Sequence, residues 1–403
     1  MTAPHLAMIL ANPLHNDPRV EKEARDLAAQ GYEVTVLAWD RSASLAPEEH
    51  RHGFRILRLP VASTFGRGAA QVRALLRFYR AAWPEIRQGG FAALHCHDLE
   101  TLPLGVAAAR RLHLPLVFDA HEPCYYADAR RWRPLLRAAA VALEWTLVRC
   151  ADLVLVTNDY QLQRCRRLGA RRACVVANWP ERWLLEAPSP APRPRPLGIG
   201  RIGALGHDMG IEELVQAHRL LRQEFPGLQL VLAGQATPDY AGPLRAALAD
   251  ADGLVLRAAY AYAELPRLYA DLDVAVLPQR PTSWFAHITP TKLFEAMARG
   301  VPVVTTDIGG VGALVRDHAC GAVLEGVTPA EIVRRVRPFL ADAGRRRAAG
   351  QAGRRLIERR LNWDASRSAL LGAYASLRGA VAGPACAGGC ARAPGQREQE
   401  AVS

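Results

Sequence analysis

Along most of the chain, short runs of apolar residues alternate with longer stretches in which apolar residues recur every three or four positions. The short runs are continuous and contain few polar residues, which predicts strands buried on both faces, as in a parallel sheet covered by helices. Before residue 187 the predicted strands are Leu6–Ala11, Glu33–Ala38, Phe54–Leu59, Phe91–Cys96, Leu114–Ala120, Leu153–Thr157 and Ala173–Ala177. The predicted helices are Arg19–Gln30, Ala69–Arg87, Leu99–Leu112, Arg133–Cys150 and Tyr160–Leu168.

A proline-rich segment separates this half from a second, similar one. Residues 187–196 read APSPAPRPRP, a composition typical of an extended, semi-rigid linker. The strands predicted after it are Leu197–Ile202, Leu228–Ala233, Leu254–Arg257, Val274–Leu277, Val301–Thr305 and Ala322–Leu324. The helices predicted after it are Ile211–Glu224, Tyr240–Ala249, Ala263–Ala270, Lys292–Arg299, Pro329–Leu340, Ala343–Arg359 and Trp363–Arg378. From Gly379 onward, small residues and proline dominate, so we expect a disordered tail over residues 379–403.

This order of elements predicts an α/β protein with two doubly wound, Rossmann-like parallel-sheet domains that face a cleft. We assign residues 1–186 to the first domain and residues 197–360 to the second. In open α/β sheets, ligands bind beyond the carboxyl ends of the strands. Two such edges facing each other suit a reaction between two substrates that is shielded from water.

Composition narrows the class of protein. Half of the residues are hydrophobic and 22% are charged, as in soluble globular proteins. No apolar run reaches the roughly 18 residues of a membrane span, and Leu6–Ala11 is too short for a signal-peptide core, so we expect a cytoplasmic protein. The eight cysteines include no C-x-x-C pair, and Cys386 and Cys390 have no second pair nearby to complete a zinc site.

The strongest local signal for chemistry is TPTKLFEAMARG, which begins at Thr289. Thr289 suits the N-cap of a helix and Pro290 its first position, so the free amides of this helix start, including that of Thr291, form a site for an anion. Lys292 adds a positive charge, and it is one of only two lysines beside 49 arginines. Glu295, one turn further, places a carboxylate where it can accept hydrogen bonds from the two hydroxyls of a ribose. An ordinary capped helix with a solvated lysine and glutamate is the structural alternative.

The longer segment TPTKLFEAMARGVPVVTTDIGG resembles the nucleotide-sugar motif of the family 4 (group 1) glycosyltransferases, which have the GT-B fold. Further segments resemble that family in the same order along the chain. They are NDPRVEKEA, QGYEV, HCHD, FDAHE, ADLVLV, GALGHDMGIEEL, ELPRLYADLDVAVLP and the last helix from Trp363. The resemblance spans about residues 6–378 and is specific for the superfamily rather than for a donor or an acceptor.

The resemblance implies a retaining transfer of a sugar from a nucleotide diphosphate sugar, without a metal or another cofactor. It implies that His121 lies near the transferred sugar and that the last helix, residues 361–378, returns to the first domain. The residues it assigns to the donor are Glu295 for the ribose and Gly203, Gly206, Thr289 and Thr291 for the diphosphate.

The chain departs from the family at three positions. The family's first glutamate corresponds to His287, and the basic pair of its glycine loop corresponds to Ala204 and Met209. We keep His287 as a candidate contact of the donor. The cations that could compensate for the missing pair are Arg201, His207, Arg280 and Lys292.

Polar residues follow several predicted strands of the first domain, at the edge where a parallel sheet binds its ligands. The candidates for substrate contacts there are Asn16, Asp17, His97, His121 and Glu122. Structural alternatives are a backbone partner for His121, capping of the next helix by Asp98, and turn formation before Pro18.

Two D-x-D triplets raise the question of a metal site, because metal-dependent sugar transferases of another fold hold a divalent ion with such a triplet. The triplet at Asp250 lies in a polar turn at a helix end. The triplet at Asp271 precedes the strand Val274–Leu277 and therefore lies at the edge opposite to the ligands. We predict no metal site.

The formal net charge of +12 calls for a partner hypothesis. RRWRPLLR, from Arg130 to Arg137, places arginines and an indole beside the apolar stretch Leu135–Leu143. This predicts peripheral contact with an anionic membrane, where each basic residue contributes about 1 kcal/mol; a helix packed on the sheet is the structural alternative. The arginines are dispersed and match no nucleic-acid motif, so we expect no nucleic-acid partner.

Together these features predict a GT-B-like glycosyltransferase with His121, Lys292 and Arg201 as catalytic residues. It would take a nucleotide-sugar donor and a glycan or lipid-linked acceptor, in synthesis of envelope polysaccharide or glycolipid at the inner face of the cell membrane. Three alternatives remain: a nucleotide-sugar epimerase, a catalytically silent subunit that binds nucleotide or glycan, and a basic module that binds membrane or nucleic acid.

Overall fold

The computed structural model describes residues 3–15, 17–63, 69–122, 134–187, 196–249, 251–282 and 285–381. Its strands are β1 His5–Leu10, β2 Glu33–Asp40, β3 Glu48–Arg51, β4 Phe54–Pro60, β5 Ala93–His97, β6 Leu116–Ala120, β7 Leu153–Val156, β8 Ala173–Val175, β9 Gly198–Ile202, β10 Gln229–Ala233, β11 Leu254–Arg257, β12 Val274–Leu277, β13 Val303–Thr306 and β14 Gly321–Leu324. Its helices are α1 Pro18–Ala29, α2 Ala69–Gln88, α3 Leu102–Leu112, α4 Pro134–Val148, α5 Asp159–Arg167, α6 Arg182–Glu186, α7 Ile211–Glu224, α8 Ala241–Leu248, α9 Leu265–Ala270, α10 Thr291–Ala298, α11 Val311–Asp317, α12 Pro329–Ala341, α13 Ala343–Arg359 and α14 Trp363–Val381.

These elements form two sheets. The first has the strand order β3-β4-β2-β1-β5-β6-β7-β8, and its neighbours are parallel except for β3 and β4. The second has the order β11-β10-β9-β12-β13-β14 and is parallel throughout. In each sheet the order reverses beside the first strand, β1 or β9, which opens a crevice at the carboxyl ends of the strands. The predicted fold class is confirmed.

Helices cover both faces of each sheet, as the continuous apolar strands require. On one face of the first sheet, α2 and α3 bury Phe78 and Leu102 in the same cluster as Ile9 of β1. On the other face, α1 buries Val20 in the same cluster as Met8 of β1. Successive residues of β1 are thus buried on opposite sides, and the site must form at the open strand ends.

The last helix packs on the first domain. α14 begins at Trp363, whose indole N–H donates to Asp26 of α1 at 2.6 Å. α14 continues through Val381, three residues into the segment that we expected to be a disordered tail. The rest of that tail, and residues 188–195 of the proline-rich linker, lie outside the described residues.

Three short elements, β3, α6 and α11, are absent from the predicted pattern. β3 reads Glu-Glu-His-Arg and lies at the sheet edge with alternate residues exposed, so it contains no apolar run. α3 begins at Leu102 rather than at the predicted Leu99, because the chain passes through a left-handed conformation at Asp98 (φ +62°) before it can enter the helix. Among the described residues, no helix combines the length and the apolar character needed to span a membrane.

Candidate active site between the domains

A cleft of about 360 Å³ lies where the carboxyl ends of the first sheet approach the start of α10. Its lining residues come from both domains. They are Asp17, Arg19, Asp98, Glu100, His121, Glu122, Thr157 and Asn178 from the first, and Thr289 and Thr291 from the second. The predicted candidates Asp17, His121, Glu122, Thr289 and Thr291 are therefore brought together. Asn16 lies outside the described residues.

The two domains are in direct contact at one side of this cleft. The side-chain amide of Asn158 donates to the carbonyl of His287 at 3.1 Å and to the hydroxyl of Thr289 at 3.3 Å. The Thr289 hydroxyl donates to the carbonyl of Thr157 at 3.3 Å, and the ring of His287 stacks on that of Tyr160 at 3.7 Å. The prediction that Thr289 caps α10 was wrong, because its hydroxyl is used across the interface and Pro290 occupies the N-cap position.

The start of α10 carries a paired lysine and glutamate. Lys292 Nζ lies 2.9 Å and 3.1 Å from the two carboxylate oxygens of Glu295, and the hydroxyl of Tyr269 donates to the same carboxylate at 3.2 Å. Burial alone would lower the pKa of Lys292, but Glu295 raises it above its usual value. Glu295 is buried, and it does not line the cleft described above.

The glycine loop after β9 approaches this pair. Gly203 adopts φ +128°, which a side chain would strain, and a Cβ atom there would lie 3.1 Å from Cγ of Lys292. The loop backbone therefore passes directly beside the lysine. Gly206 is extended (φ −157°), a conformation that any residue can adopt, so the backbone at this position does not require glycine.

Arg201 on β9 contacts both positions at which the basic pair is missing. Its guanidinium donates to the carbonyl of Ala204 at 3.3 Å and contacts the sulfur of Met209 at 2.8 Å, the two positions where the family has its basic pair. Its Nη1 is buried without a hydrogen-bond partner. Burial lowers the pKa of Arg201 to about 10, so the group remains charged at neutral pH. Among the other cations, Arg280 is paired with Glu213.

His121 lies at the cleft between two carboxylates. Its Nε2 is 2.8 Å from Asp119, and its Nδ1 is 3.2 Å from Asp98. Burial would lower the pKa of His121, but these two carboxylates raise it to about 10. The imidazole is therefore protonated at neutral pH and donates both of its N–H groups to the protein.

Asp98 holds His121 rather than capping a helix. Its carboxylate also accepts the backbone N–H of His121 at 3.2 Å, so the capping role that we considered for Asp98 was wrong; Thr101 occupies the N-cap position of α3. Burial raises the pKa of Asp98 to about 7 against the opposing effect of His121, and neighbouring carboxylates, including Glu100, add to the increase.

His97 supports His121 from behind and does not line the cleft. It is fully buried, with Nδ1 at 3.2 Å from Nε2 of His121 and at 3.3 Å from Asp119. Asp17 caps α1, a role different from the turn formation that we considered: its carboxylate accepts the N–H of Val20, and the residue also lines the cleft.

Sequence reasoning missed the residues that organise this corner. Arg19 Nε and Nη2 donate to the two oxygens of Asp119 at 2.8 Å and 2.6 Å, and its Nη1 donates to the carbonyl of Val176 at 2.6 Å. Burial alone would raise the pKa of Asp119, but the positive charge of Arg19 holds this pKa well below its usual range. A signal was available, because Asp119 ends a buried strand, where an acidic residue needs a partner.

The same corner contains a set of potential metal ligands. Atoms of Glu23, His95, His97 and Asp119 lie within 4.8 Å of one another. The guanidinium of Arg19 lies 3.2 Å from Glu23 and 2.6 Å from Asp119, so a positive charge is already present among these carboxylates. Burial raises the pKa of Glu23 to about 8, which further weakens it as a ligand at neutral pH.

Two protein-family models match the chain. The model described as "Glycosyl transferase 4-like domain" matches residues 17–179, and the model described as "Glycosyl transferases group 1" matches residues 189–356. The chain belongs to the group 1 glycosyltransferases. It is an enzyme of the class that uses nucleotide sugars, and the resemblance inferred from its motifs is confirmed.

Similar proteins cover nearly the whole chain of this glycosyltransferase. A glycogen synthase from Mycobacterium tuberculosis is 27% identical over 87% of the chain and 88% of its own length. A D-inositol 3-phosphate glycosyltransferase from Geodermatophilus obscurus is 28% identical over 88% of the chain and 83% of its own length. Among solved structures, sucrose-phosphate synthase from Thermosynechococcus elongatus has a TM-score of 0.75 at 20% identity, covering 94% of this chain and all of that one. HepE from Anabaena in complex with UDP-glucose has a TM-score of 0.70 at 15% identity, covering 92% of this chain and 99% of that one.

Proposed function

We propose that this glycosyltransferase transfers a sugar from a nucleotide diphosphate sugar to a hydroxyl acceptor with retention of configuration and without a metal ion. The observation that carries the proposal is the group formed by Lys292, Glu295 and Arg201 around the glycine loop at Gly203. The loop and the helix start supply backbone amides, and the lysine and arginine supply charge.

The charge of this group suits a diphosphate. Lys292 and Arg201 contribute two positive charges against the single negative charge of Glu295, in a site that is largely buried. A buried, charged N–H without a partner, such as Nη1 of Arg201, has a strong demand for an acceptor. The start of α10 adds the positive end of its helix dipole. Stabilising charge on the leaving diphosphate in this way is usually the largest catalytic contribution.

The donor ribose is assigned to Glu295. Its carboxylate is held by Lys292 and Tyr269. A diphosphate beside Lys292 would draw the ammonium group away and leave the carboxylate to accept the ribose hydroxyls. The pair thus presents both groups at a fixed spacing before the donor arrives.

The acceptor proton must go to a group other than His121. A protonated imidazole that already donates both N–H groups to Asp98 and Asp119 has no lone pair with which to act as a base. We assign the proton to an oxygen of the leaving diphosphate, which becomes more basic as the bond to the sugar breaks. His121 then orients the carboxylate of Asp98 at the cleft.

The described D-x-D residues support metal independence by their own contacts. Asp273 accepts the N–H of Gly198 at 2.9 Å and pairs with Arg346 at 3.3 Å. Asp271 lies 3.7 Å from Arg257. Both belong to the amino-terminal edge of the second sheet, opposite to the cleft. Asp250 lies outside the described residues.

We further propose an envelope polysaccharide or glycolipid acceptor, handled by peripheral contact with an anionic membrane at its inner face. Residues 130–133, which begin the stretch that suggested this contact, lie outside the described residues. Further along α4, Trp145 is 47% exposed, and Arg149, just after the helix, lies over its ring at 3.9 Å. Sedimentation with anionic and with neutral vesicles tests this contact: equal recovery with both would refute it.

The central experiment is a panel of UDP-, GDP- and ADP-sugars with the full chain, measured by thermal stabilisation and by donor hydrolysis. We expect one nucleotide to stabilise the wild type and Glu295→Ala to lose this effect. Glu358→Ala, on the exposed side of α13, is the matched control. Stabilisation without hydrolysis would instead indicate a silent binding subunit, and conversion of the donor without an acceptor would indicate an epimerase.

Two further measurements test the mechanism. Proton NMR of the first product reports whether the anomeric configuration of the donor is retained, and turnover should be unchanged in excess EDTA. Arg201→Met should weaken donor binding, whereas Arg280→Met should not, because Arg280 is already paired with Glu213. An inverted product, or loss of turnover in EDTA, would refute the corresponding part of the proposal.

A further inference from the structure

The cleft beside His121 is strongly acidic. Four of the ten residues that line it are carboxylates: Asp17, Asp98, Glu100 and Glu122. Glu100 and Glu122 are exposed at its mouth, and Asp98 and Asp17 lie deeper. A fifth carboxylate, that of Asp119, lies directly behind His121.

The two cations among the described lining residues are already held by these carboxylates or by backbone. Arg19 uses Nε and Nη2 on Asp119 and Nη1 on the carbonyl of Val176. His121 donates one N–H to Asp119 and the other to Asp98. Both N–H groups of His121 are thus engaged, and all three guanidinium nitrogens of Arg19 already donate within the protein.

Titration of the groups in this corner is consistent with a negative potential. The pKa of Asp98 is raised to about 7 by burial and, with it, by Glu100, Asp119 and Asp17. The pKa of His121 is raised to about 10 by Asp98 and Asp119 although burial opposes this. An anionic group entering the cleft would meet the same field.

We propose that the acceptor group bound in this cleft is an uncharged polyol or an amino sugar, and that phosphorylated and carboxylated sugars are excluded. This inference rests on the proposed function and specifies the substrate class of the same site. Carboxylates are strong acceptors for sugar hydroxyls and for ammonium groups, whereas an anion placed among them meets like-charge repulsion. The size of the cleft, about 360 Å³, suits a small ligand of this kind.

The test compares matched acceptors that differ by one phosphate, glucose with glucose 6-phosphate and myo-inositol with its 3-phosphate. The donor is the nucleotide sugar found in the hydrolysis panel, and the readout is release of nucleoside diphosphate above the acceptor-free rate. We expect the neutral member of each pair to have a kcat/KM at least about tenfold higher, and raised salt to narrow this ratio.

Charge-neutralising variants separate electrostatics from shape. Glu100→Gln keeps the size of a side chain at the mouth and should reduce the preference for the neutral acceptor severalfold. Glu33→Gln is the matched control, since it makes the same change at an exposed site on the opposite edge of the same sheet and should leave the ratio unchanged.

A phosphorylated acceptor used as well as its neutral partner would overturn the inference, as would donor hydrolysis that no neutral or amino sugar accelerates. An equal loss of preference in Glu100→Gln and Glu33→Gln would also overturn it. Failure of every nucleotide sugar to bind would instead refute the proposed function, and this inference with it.

Discussion

Lys292 and Glu295 stand three residues apart on α10 and form a nearly symmetrical ion pair, with Nζ of the lysine 2.9 Å and 3.1 Å from the two carboxylate oxygens. The glutamate side chain is 6% exposed and the lysine side chain 29%. Each group thus satisfies the other. On the function that we propose, donor binding would exchange this ion pair for contacts with the diphosphate and the ribose.

A first prediction separates the structural role of this pair from its catalytic role. Lys292→Met leaves the carboxylate of Glu295 buried without its cation, and we expect a loss of about 2 kcal/mol in the free energy of unfolding, less than the roughly 3–5 kcal/mol of a fully buried pair. Turnover of the donor should fall about ten- to thousandfold. Urea denaturation and donor hydrolysis measure the two effects.

The double variant Lys292→Met with Glu295→Gln is the control for this prediction. It removes both charges, so stability should recover toward that of the wild type while turnover stays low. Recovery of turnover in the double variant would show that the lysine acts only by neutralising the glutamate, and it would contradict a direct role at the diphosphate.

A second prediction concerns the protonation of His121. Its pKa is about 10 in the folded chain and 6.5 for an unperturbed histidine. Because the folded value is higher, the stabilising contribution of the charged imidazole is complete below pH 6.5, declines as the pH rises, and is lost above about pH 10. The stability difference between the wild type and His121→Gln should therefore shrink across this range, measured by denaturation at several pH values.

The proton NMR signal of the His121 ring provides the direct check, with His121→Gln used to assign it. We expect no transition of the size that imidazole deprotonation produces near pH 6.5, and only a smaller change near pH 7 from Asp98, which contacts Nδ1. A full-size transition with a midpoint close to 6.5 would mean that the imidazole is neutral in the working enzyme, and it would restore His121 as a candidate base.

The strands and helices could be predicted well from the sequence because the apolar pattern that defines each of them lies within a few neighbouring residues. Continuous apolar runs such as Val274–Leu277 are strands in the structure within one or two residues, since burial on both faces requires an uninterrupted run. β3 was missed because a polar edge strand is defined by its partner β4 and not by its own composition.

The site was predicted less completely because its organisation depends on contacts between distant residues. Arg19 and Asp119 are separated by 100 positions, so no local pattern links them. Threonine at position 289 is typical of an N-cap, but its hydroxyl donates to the carbonyl of Thr157 in the other domain. The sequence predicted Arg201 only as one of several cations that could compensate for the missing basic pair. The contacts of its guanidinium with Ala204 and Met209 are seen only in the folded structure.

A third prediction concerns Lys22, the other lysine of this arginine-rich chain. Lys22 is buried on α1, and its Nζ donates to Asn178 at 2.9 Å and to the carbonyl of Trp179 at 3.0 Å, while lying 4.3 Å from the ring centre of Trp363. Residues 178–179 follow β8 of the first domain, and Trp363 begins α14, the helix that returns to that domain. Lys22 therefore joins α1 to both segments.

Lys22→Met should leave two partly buried acceptors without this donor and reduce the free energy of unfolding by about 1–3 kcal/mol at neutral pH. Burial lowers the pKa of Lys22 to about 8, against 10.5 for an ordinary lysine. The energetic cost of burying the charge is then complete below pH 8 and disappears toward pH 10.5, so the wild type should gain stability relative to Lys22→Met over that interval. If the stability difference between the wild type and Lys22→Met did not change with pH, the conclusion that Lys22 is buried in its charged form would be contradicted.

A fourth prediction tests whether the contact between the domains controls donor binding. Asn158 has two separable functions: its side-chain oxygen accepts the N–H of Gln161 at 2.9 Å as the N-cap of α5, and its amide donates across the interface to His287 and Thr289. Asn158→Asp keeps the capping oxygen but loses the donor, and it places a carboxylate opposite the carbonyl of His287. Asn158→Ala loses both functions, including about 1 kcal/mol from the cap.

We therefore expect Asn158→Asp to unfold at the wild-type denaturant concentration, but to have a severalfold higher KM for the donor and a larger radius of gyration in small-angle X-ray scattering. Asn158→Ala should show the same kinetic change together with reduced stability. If closure of the cleft depended on the ring stacking of Tyr160 and His287 alone, Asn158→Asp would match the wild type in both scattering and kinetics, and Tyr160→Ala would be the variant that opens the domains. The two substitutions act on the same interface through different forces, so raised salt should leave the effect of Tyr160→Ala unchanged and moderate that of Asn158→Asp.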